Sequence, residues 1–306
     1  MTIIIRRLIF VLPALLSVAI ITFLVGRLAP GDPFQQLYGY GMDDATINEM
    51  RHHYGFDQPL WQQLLTYLGN LLQGDLGISF VRANTQVTEL IGESIGPTLL
   101  VGGLSMVLAT ILGVGLGLWS AFQHGRLIDK IITALVSFFG AMPGFVLSYF
   151  IIWLVAINLK WFPPGGWGKP ENLVLPVLVA ALSPAAFVTR VCRASILNVL
   201  RQDYLTVAHA KGLAPGTVLR VHILKNGFIP VVTVIGSLAA RSFTGLLFVE
   251  KIFGIPGLAS LTIDSVPARD YAVIQGCTML MAAIFIFFNL LVDIVNVVLD
   301  PRLKPA

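Results

Sequence analysis

Apolar residues run through this chain in long unbroken blocks, and neither the alternation of a half-buried strand nor the narrow stripe of a soluble amphipathic helix dominates. Six blocks approach the roughly 20 residues that cross a bilayer as a helix: Leu8 to Val25, Thr98 to Phe122, Ile131 to Leu159, Leu173 to Thr189, Gly227 to Val249 and Tyr271 to Val292. Membrane-barrel strands would give dyads of about ten residues instead. The pattern therefore predicts an all-α integral membrane protein with six transmembrane helices.

Interruptions within the blocks carry information. The second holds Gly113 and Gly117 as a GxxxG pair, which predicts close helix packing, with Gly102, Gly103 and Gly115 nearby. The third is broken at Met142, Pro143 and Gly144, and the fourth at Pro176 and Pro184. Carbonyls freed at such breaks are tolerated against neighbouring helices or a water-filled cavity. The breaks fit a path through the bilayer and equally the ordinary kinks of a packed bundle.

Three of the stretches between the blocks carry their own structural signals. In the first, Asp43, Asp44 and Thr46 are placed to cap a helix through Ile47, Met50 and Tyr54, and Pro59 to start another through Trp61, Leu64, Leu65 and Leu68. Gly74, Asp75 and Gly77 then make a turn. This reads as an amphipathic cap on the membrane surface, with Trp61, Tyr67 and Phe80 at headgroup depth. The second stretch, Leu159 to Gly168, is an aromatic turn whose Trp161, Phe162 and Trp167 suit an interface.

The third, Arg190 to Asn226, is a basic island: Arg190, Arg193, Arg201, Lys211, Arg220 and Lys225 stand against one acid, Asp203. Tyr204, Leu205 and Ala208 fall on one face of a short helix capped by Asp203, and Gly212 turns the chain before Pro215 begins a second piece. Two short helices held between spans make a rigid knob; the plainer alternative is a basic loop that only sets topology. The expected organisation is a transmembrane helix over residues 1–29, a cap over 30–95, and a five-helix core over 96–306 with the loop at 200–226.

Composition agrees with the pattern: 56% of residues are hydrophobic and 12% charged, too apolar for one soluble globule. Arg6 and Arg7 precede the first block, but it is longer than a signal peptide and lacks an A-x-A site, so it is read as a retained anchor. Lysine and arginine near the span ends place both termini in the cytoplasm, together with Arg126, Lys130 and the basic island. The segment from Pro30 to Ile95, with eight acids against Arg51 and Arg82, falls outside. The net charge of +4 thus reflects topology and implies no nucleic-acid partner. Cys192 and Cys277 are isolated and read as small packing residues.

No catalytic constellation is present: the chain lacks G-x-S-x-G, H-E-x-x-H and G-x-x-x-x-G-K-[ST], and its histidines do not make a metal cluster. Uphill transport would need an ion gradient or another subunit. Arg241 is the one charge inside the fifth block, placed to face a wet cavity, a substrate carboxylate or a partner subunit, or else to pair for structure alone. Asn289, Asp293, Asn296 and Asp300 recur at 4, 3 and 4 residues on one helical face that avoids lipid, fit for a subunit contact or, less readily, a proton relay. Glu250 and Lys251, beside "FGIPG", suit an outer gate or a surface for a binding protein.

"DYLTVAHAKGL" (Asp203 to Leu213) followed by "VLRVHILKNGFIPVV" (Val218 to Val232) resembles the EAA loop of importer-type ABC permeases in its oligopeptide, dipeptide and nickel branch. Thr206, Val207 and Ala208 take the triplet positions and Gly212 the glycine; Thr206 replaces the usual glutamate, and His222 to Lys225 the usual I-x-L-P, as is typical of the peptide branch. "LAPGDPF" (Leu28 to Phe34), "YGFDQPLWQQ" (Tyr54 to Gln63), "GDLGISF" (Gly74 to Phe80), "VEKIFGIPGLASL" (Val249 to Leu261), "RDYAVIQG" (Arg269 to Gly276) and "VDIVNVVLDPRL" (Val292 to Leu303) are each similar to blocks of B-type permease subunits, and "WFPPGGW" tilts toward oligopeptides.

The resemblance implies a bacterial inner-membrane permease with no ATPase site of its own. It would pair with a second, related permease, two cytoplasmic ATPases that carry ATP and Mg, and a periplasmic or lipid-anchored solute-binding protein. It also implies that Asp203, Tyr204, Thr206, Ala208, His209, Ala210, Lys211, Gly212 and Leu213 form the ATPase-docking loop, with His209 and Lys211 as polar contacts and Ala208, Ala210 and Gly212 allowing close approach. Peptides are the implied cargo; nickel, glutathione and murein peptides are the alternatives within the family. The rival from another class is a stand-alone gradient-driven carrier, which calls for a proton or sodium site and usually an internal repeat.

Overall fold

The computed structural model describes residues 2–28, 44–79, 81–82 and 85–299. Asp43, Phe80 and Asp300 lie outside the described residues, as do the side chains of Asp44, Thr46, Met50 and Asn296. Helices account for nearly all of the described chain. They are α1 (Thr2–Leu28), α2 (Asp44–His53), α3 (Leu60–Leu72), α4 (Val87–Phe122), α5 (Leu127–Ala141), α6 (Gly144–Ile151), α7 (Glu171–Leu200), α8 (Asp203–Ala210), α9 (Lys225–Thr244), α10 (Leu247–Phe253), α11 (Leu258–Ser265) and α12 (Tyr271–Leu299). Among the described residues, five helical stretches are long and apolar enough to cross a membrane: Phe10–Leu28, Val87–Phe122, Glu171–Leu200, Pro215–Phe243 and Tyr271–Val295.

The sixth expected span is a bent pair. Leu127–Ala141 and Gly144–Asn158 meet at 110°, so they count as one crossing only if the bend is included. Met142 and Pro143 both adopt extended backbone, with ψ of 129° and 140°. Proline disfavours helical geometry in the residue before it and supplies no N–H to continue the ladder. The break at Pro176 and Pro184, by contrast, is not found: α7 runs through both without interruption. The fifth span also differs from expectation, since α9 ends at Thr244 and Val249 belongs to the separate helix α10.

The chain forms two compact units, Met1–Thr98 with Pro256–Ile284, and Leu99–Ile255 with Phe285–Ala306. The first packs around Val87, Ile91, Leu258, Leu261, Val273 and Cys277. Gly276 permits this, because a β-carbon there would lie 2.6 Å from Val87 Cγ1. Its loops are pinned by polar contacts. The Leu258 N–H donates to Thr98 Oγ1 at 2.8 Å, which caps α11 from another element. Ser79 donates its hydroxyl to Asp270 Oδ2 at the start of α12, and an antiparallel bridge joins Ile78 to Gln86. Burial pushes the Asp270 carboxyl above the usual range, against the opposing pull of the Ser79 hydrogen bond. The stretch Val87 to Pro97, expected to lie outside the membrane helix, is the first part of α4; its buried Val87 and Ile91 hold it in this core.

In the second unit α4 and α7 lie in close contact. A β-carbon at Gly113 would sit 2.6 Å from that of Val188, and one at Gly117 would sit 2.6 Å from that of Cys192. Near the ends of the same helices a charged cluster closes the bundle. Arg193 grips Asp129 with Nε to Oδ1 at 2.7 Å and Nη2 to Oδ2 at 2.8 Å. Ser120 donates to Oδ1, the Gly125 N–H donates to Oδ2 at 2.9 Å, and His124 Nδ1 lies 3.1 Å from Arg193 Nη2. Asp129 is buried on α5, so this bidentate pair ties α4, α5 and α7 at one point.

Removing one partner of such a pair strands the other charge. Arg193→Ala is expected to cost about 3 kcal/mol, read as a lower melting temperature and a smaller monodisperse fraction of detergent-extracted protein; a stability equal to the parent would contradict the role given to the pair.

Candidate functional site

The basic island folds as a short helix on a buried foot. Leu205 and Ala208 of α8 turn inward and join Val188, Cys192, Ile196, Val218, Ile223 and Val231 in one apolar cluster. Helical spacing forces the rest outward: Asp203, Tyr204, Thr206, Val207, His209, Ala210, Lys211, Gly212 and Leu213 are exposed. Three expectations change. Asp203 is the first residue of the helix and makes no capping bond, because Gln202 occupies the cap position. Tyr204 does not share the face of Leu205 and Ala208; it lies on the outer surface. Ala208 is almost wholly buried in its own chain, so little of it reaches the surface.

Gly212 has φ of +72° and ends α8, where its N–H donates to the His209 carbonyl at 2.9 Å. A left-handed residue of this kind is the usual helix stop. Among the described residues nothing lies within 4 Å of the place a β-carbon would take, so the surface at Gly212 is open. The chain then runs from Pro215–Thr217 through a π-helical segment, Val218–Leu224, directly into α9. The second piece is thus the root of a membrane helix and not a separate short one. Tyr204 locks the two arms together: Asn226 Nδ2 donates to its hydroxyl at 3.2 Å, and that hydroxyl reaches the His222 carbonyl at 3.4 Å. The result is a shallow depression of about 450 Å³ lined by Tyr204, Val207, Ala208, Lys211, Leu213, His222 and Asn226.

A second feature is a cavity of about 680 Å³ in the same unit. Arg190 and Phe187 of α7, Arg241, Ser237 and Ser242 of α9, Ser105 of α4 and Gly140 of α5 reach it. Ala180 and Pro184 line it as well, so the carbonyl that Pro184 leaves without its helical donor belongs to a residue of the wall. Ser183, Phe187 and Arg190 follow one another at helical spacing on α7, as do Ser237, Leu238, Arg241 and Ser242 on α9.

Sequence reasoning placed Arg241 as a candidate here, but it assigned Arg190 to the basic island and overlooked Arg193 with Asp129. The signal for Arg190 was its place seven residues after Ser183, on the face that Phe187 shares. Glu250, Asn289 and Asp293 are not among the described residues of the cavity wall. Glu250 is wholly buried in the first turn of α10, where it cannot receive a binding protein. Asn289 and Asp293 are half-buried on α12, and Asn289 Nδ2 donates to the Phe285 carbonyl at 2.8 Å. Lys251 is exposed.

Residues 113–305 match the family described as binding-protein-dependent transport system inner membrane component, and residues 1–97 match the N-terminal region of such membrane components. The chain belongs to this permease family. The permease is 37% identical over 312 residues to the oligopeptide transport system permease protein AppB of Bacillus subtilis, covering 98% of each chain. It is 35% identical over 301 residues to the dipeptide transport system permease protein DppB of Lactococcus lactis subsp. cremoris, with 98% of each chain covered. It is 36% identical over 301 residues to the glutathione transport system permease protein GsiC of Shigella flexneri, again with 98% coverage of both.

Among solved structures, the permease resembles the MetNI methionine ABC transporter with a TM-score of 0.58 at 14% identity, covering 70% of this chain and 97% of that one. An amino acid ABC transporter with histidines gives a TM-score of 0.55 at 16% identity, with 68% and 94% covered. These likenesses show the helical fold alone; that the chain is an inner-membrane component rests on the family match.

The buried foot of α8 has a direct test. Leu205→Ala removes a side chain only 5% exposed and should cost about 2 to 4 kcal/mol of local packing. Limited proteolysis is expected to cut between Gln202 and Leu213 faster in the variant, and an unchanged cleavage rate would mean that α8 is held by something else.

Proposed function

We propose that this permease is one of two related membrane subunits of an ATP-driven peptide importer, with oligopeptides as its cargo. The observation that carries the reading is the match, over nearly the full length, to permeases named for oligopeptide, dipeptide and glutathione transport. All three cargoes are built from amino acids through amide bonds and carry a free carboxylate. In this reading the termini and the basic island are cytoplasmic, ATP and Mg reside on two ATPase subunits, and a solute-binding protein delivers the peptide from the other side.

The exposed edge of α8 would dock in a cleft of an ATPase. Its apolar Val207 and Leu213 flank the cation Lys211, a mixture suited to a specific protein contact. A coupling element has to transmit displacement without absorbing it. The buried foot of Leu205 and Ala208, with the Tyr204 and Asn226 clasp, supports that role. The cavity between α7 and α9 is the translocation path in this reading, and Arg190 and Arg241 are its cationic groups. They would attract a peptide carboxylate in surroundings where charge is poorly screened.

Reconstitution of the full transporter tests both parts. Gly212→Trp strains the left-handed turn and fills the open surface, and it should abolish ATPase co-purification while leaving membrane insertion intact. Arg190→Gln with Arg241→Gln should leave ATPase association intact and lower peptide uptake by roughly tenfold, the equivalent of one charge-assisted contact. Uptake by the lone chain without ATPases, or a peptide-independent transporter, would overturn the proposal.

A further inference from the structure

The first compact unit contains a cavity that the transport reading does not use. It measures about 460 Å³ and lies where the last turn of α1 meets α2, α3, the loop at Asp75 to Ile78 and the first turn of α12. Its walls are aromatic and polar, with Tyr54, Phe56, Tyr67 and Tyr271 among them. Packing fixes those walls. Phe23 stacks on Tyr67 with ring centroids 5.7 Å apart, and Gly26 lets the Tyr271 ring come within 3.2 Å of where its β-carbon would be.

At the centre is Arg27. Its guanidinium lies 3.6 Å from the centroid of the Phe56 ring and 5.6 Å from that of Phe23. Stacking of this kind orients a guanidinium but satisfies none of its N–H donors, which lie in the plane of the group. Among the described residues, Arg27 Nη1 is buried without a hydrogen-bond partner, and so are the Tyr271 hydroxyl and Gln63 Oε1. Gln63 is itself about nine-tenths buried and is fixed by its amide, whose Nε2 donates to the Phe56 and Gln58 carbonyls at 3.2 and 2.7 Å. The acidic groups nearby are engaged elsewhere: Asp57 Oδ2 meets His52 Nδ1 at 2.7 Å, and Asp75 Oδ1 accepts the Gly77 N–H at 2.8 Å.

Three residues that line one cavity each carry an unpartnered polar atom, which is costly unless something completes it. A cationic donor and a hydroxyl donor ask for an oxyanion, while the Gln63 oxygen asks for a hydroxyl or ammonium beside it. The surroundings identify the source. Arg27 closes the apolar stretch Phe10–Leu28, which puts it at one edge of the hydrocarbon layer, where lipid phosphates lie. Apolar side chains lead away from it along two elements, Leu24, Val25 and Leu28 on α1 and Leu65 and Leu72 on α3, and all of them are exposed. These give acyl chains a surface to lie on.

We propose that this cavity is a phospholipid headgroup site, in which Arg27 and Tyr271 bind the phosphodiester and Gln63 accepts a hydrogen bond from the headgroup's hydroxyl or ammonium. The bound lipid would fasten the end of α1 to α3 and α12 within this unit.

Native mass spectrometry of the full-length protein, delipidated in detergent and titrated with defined lipids, tests the site. One phosphatidylglycerol or phosphatidylethanolamine per chain should bind, with diacylglycerol and inorganic phosphate at least roughly tenfold weaker, since each supplies only half of the contacts. Arg27→Gln should weaken phospholipid binding roughly tenfold. Tyr271→Phe, which keeps the ring and the packing, should weaken it less but measurably, while Arg126→Gln at an exposed turn should leave it unchanged. Equal binding by Arg27→Gln and the parent would overturn the assignment. So would inorganic phosphate bound as tightly as phospholipid, which would make this a site for a free anion, or the absence of a one-lipid adduct in the parent and in Tyr271→Phe.

Discussion

Helices in a bilayer gain nothing by turning an apolar face from lipid toward one another, so their association depends on how closely their backbones approach. Here that constraint is met where α4 meets α7. With no side chain at Gly113 or Gly117, the ridge formed by Val188 and Cys192 lies directly on the α4 backbone. α5 and α9 pack on the same helix α7. The Asp129 and Arg193 pair closes with Ser120, about one helical turn beyond Gly117, and with His124, in the turn that follows α4. The foot of α8 rests on the cluster that Val188, Cys192 and Ile196 continue.

One helix therefore serves both proposed activities. Within ten residues α7 presents Phe187 and Arg190 to the cavity, then Cys192 and Ile196 to the cluster under α8. α9 does the same from the opposite end, because the π-helical segment at Val218–Leu224 joins the loop to the helix that carries Arg241. A displacement of α8 would reach the cavity through the packed side chains of the cluster beneath it.

Much of this was legible in sequence, for physical reasons that also mark the limits. Block length and apolarity are properties of the chain alone, so α1, α4, α7, α9 and α12 were anticipated. The turn at Gly212 was too, because only glycine takes a left-handed conformation without strain. Prolines were harder to read. Pro143 sits at a 110° break and Pro176 and Pro184 lie inside an unbroken helix, although all three rings carry the same local constraint. Side-chain direction was harder still. Ala208 and Glu250 carry the same local pattern whether they face a partner or their own core, and Arg193 looks like any basic loop residue until Asp129, 64 positions earlier, is folded against it.

The glycine seam also shapes what mutation can repair. At Gly117 an added methyl group meets Cys192 Cβ at 2.6 Å, but it also meets the Thr189 carbonyl oxygen at 3.0 Å; at Gly113 the corresponding obstacles are Val188 and the Ala185 carbonyl at 3.1 Å. A compensating change at Cys192 or Val188 can withdraw a side chain and cannot withdraw a backbone oxygen. Second-site suppression across this seam is therefore partial by construction, and a lineage that lost either glycine would recover full packing most directly by true reversion.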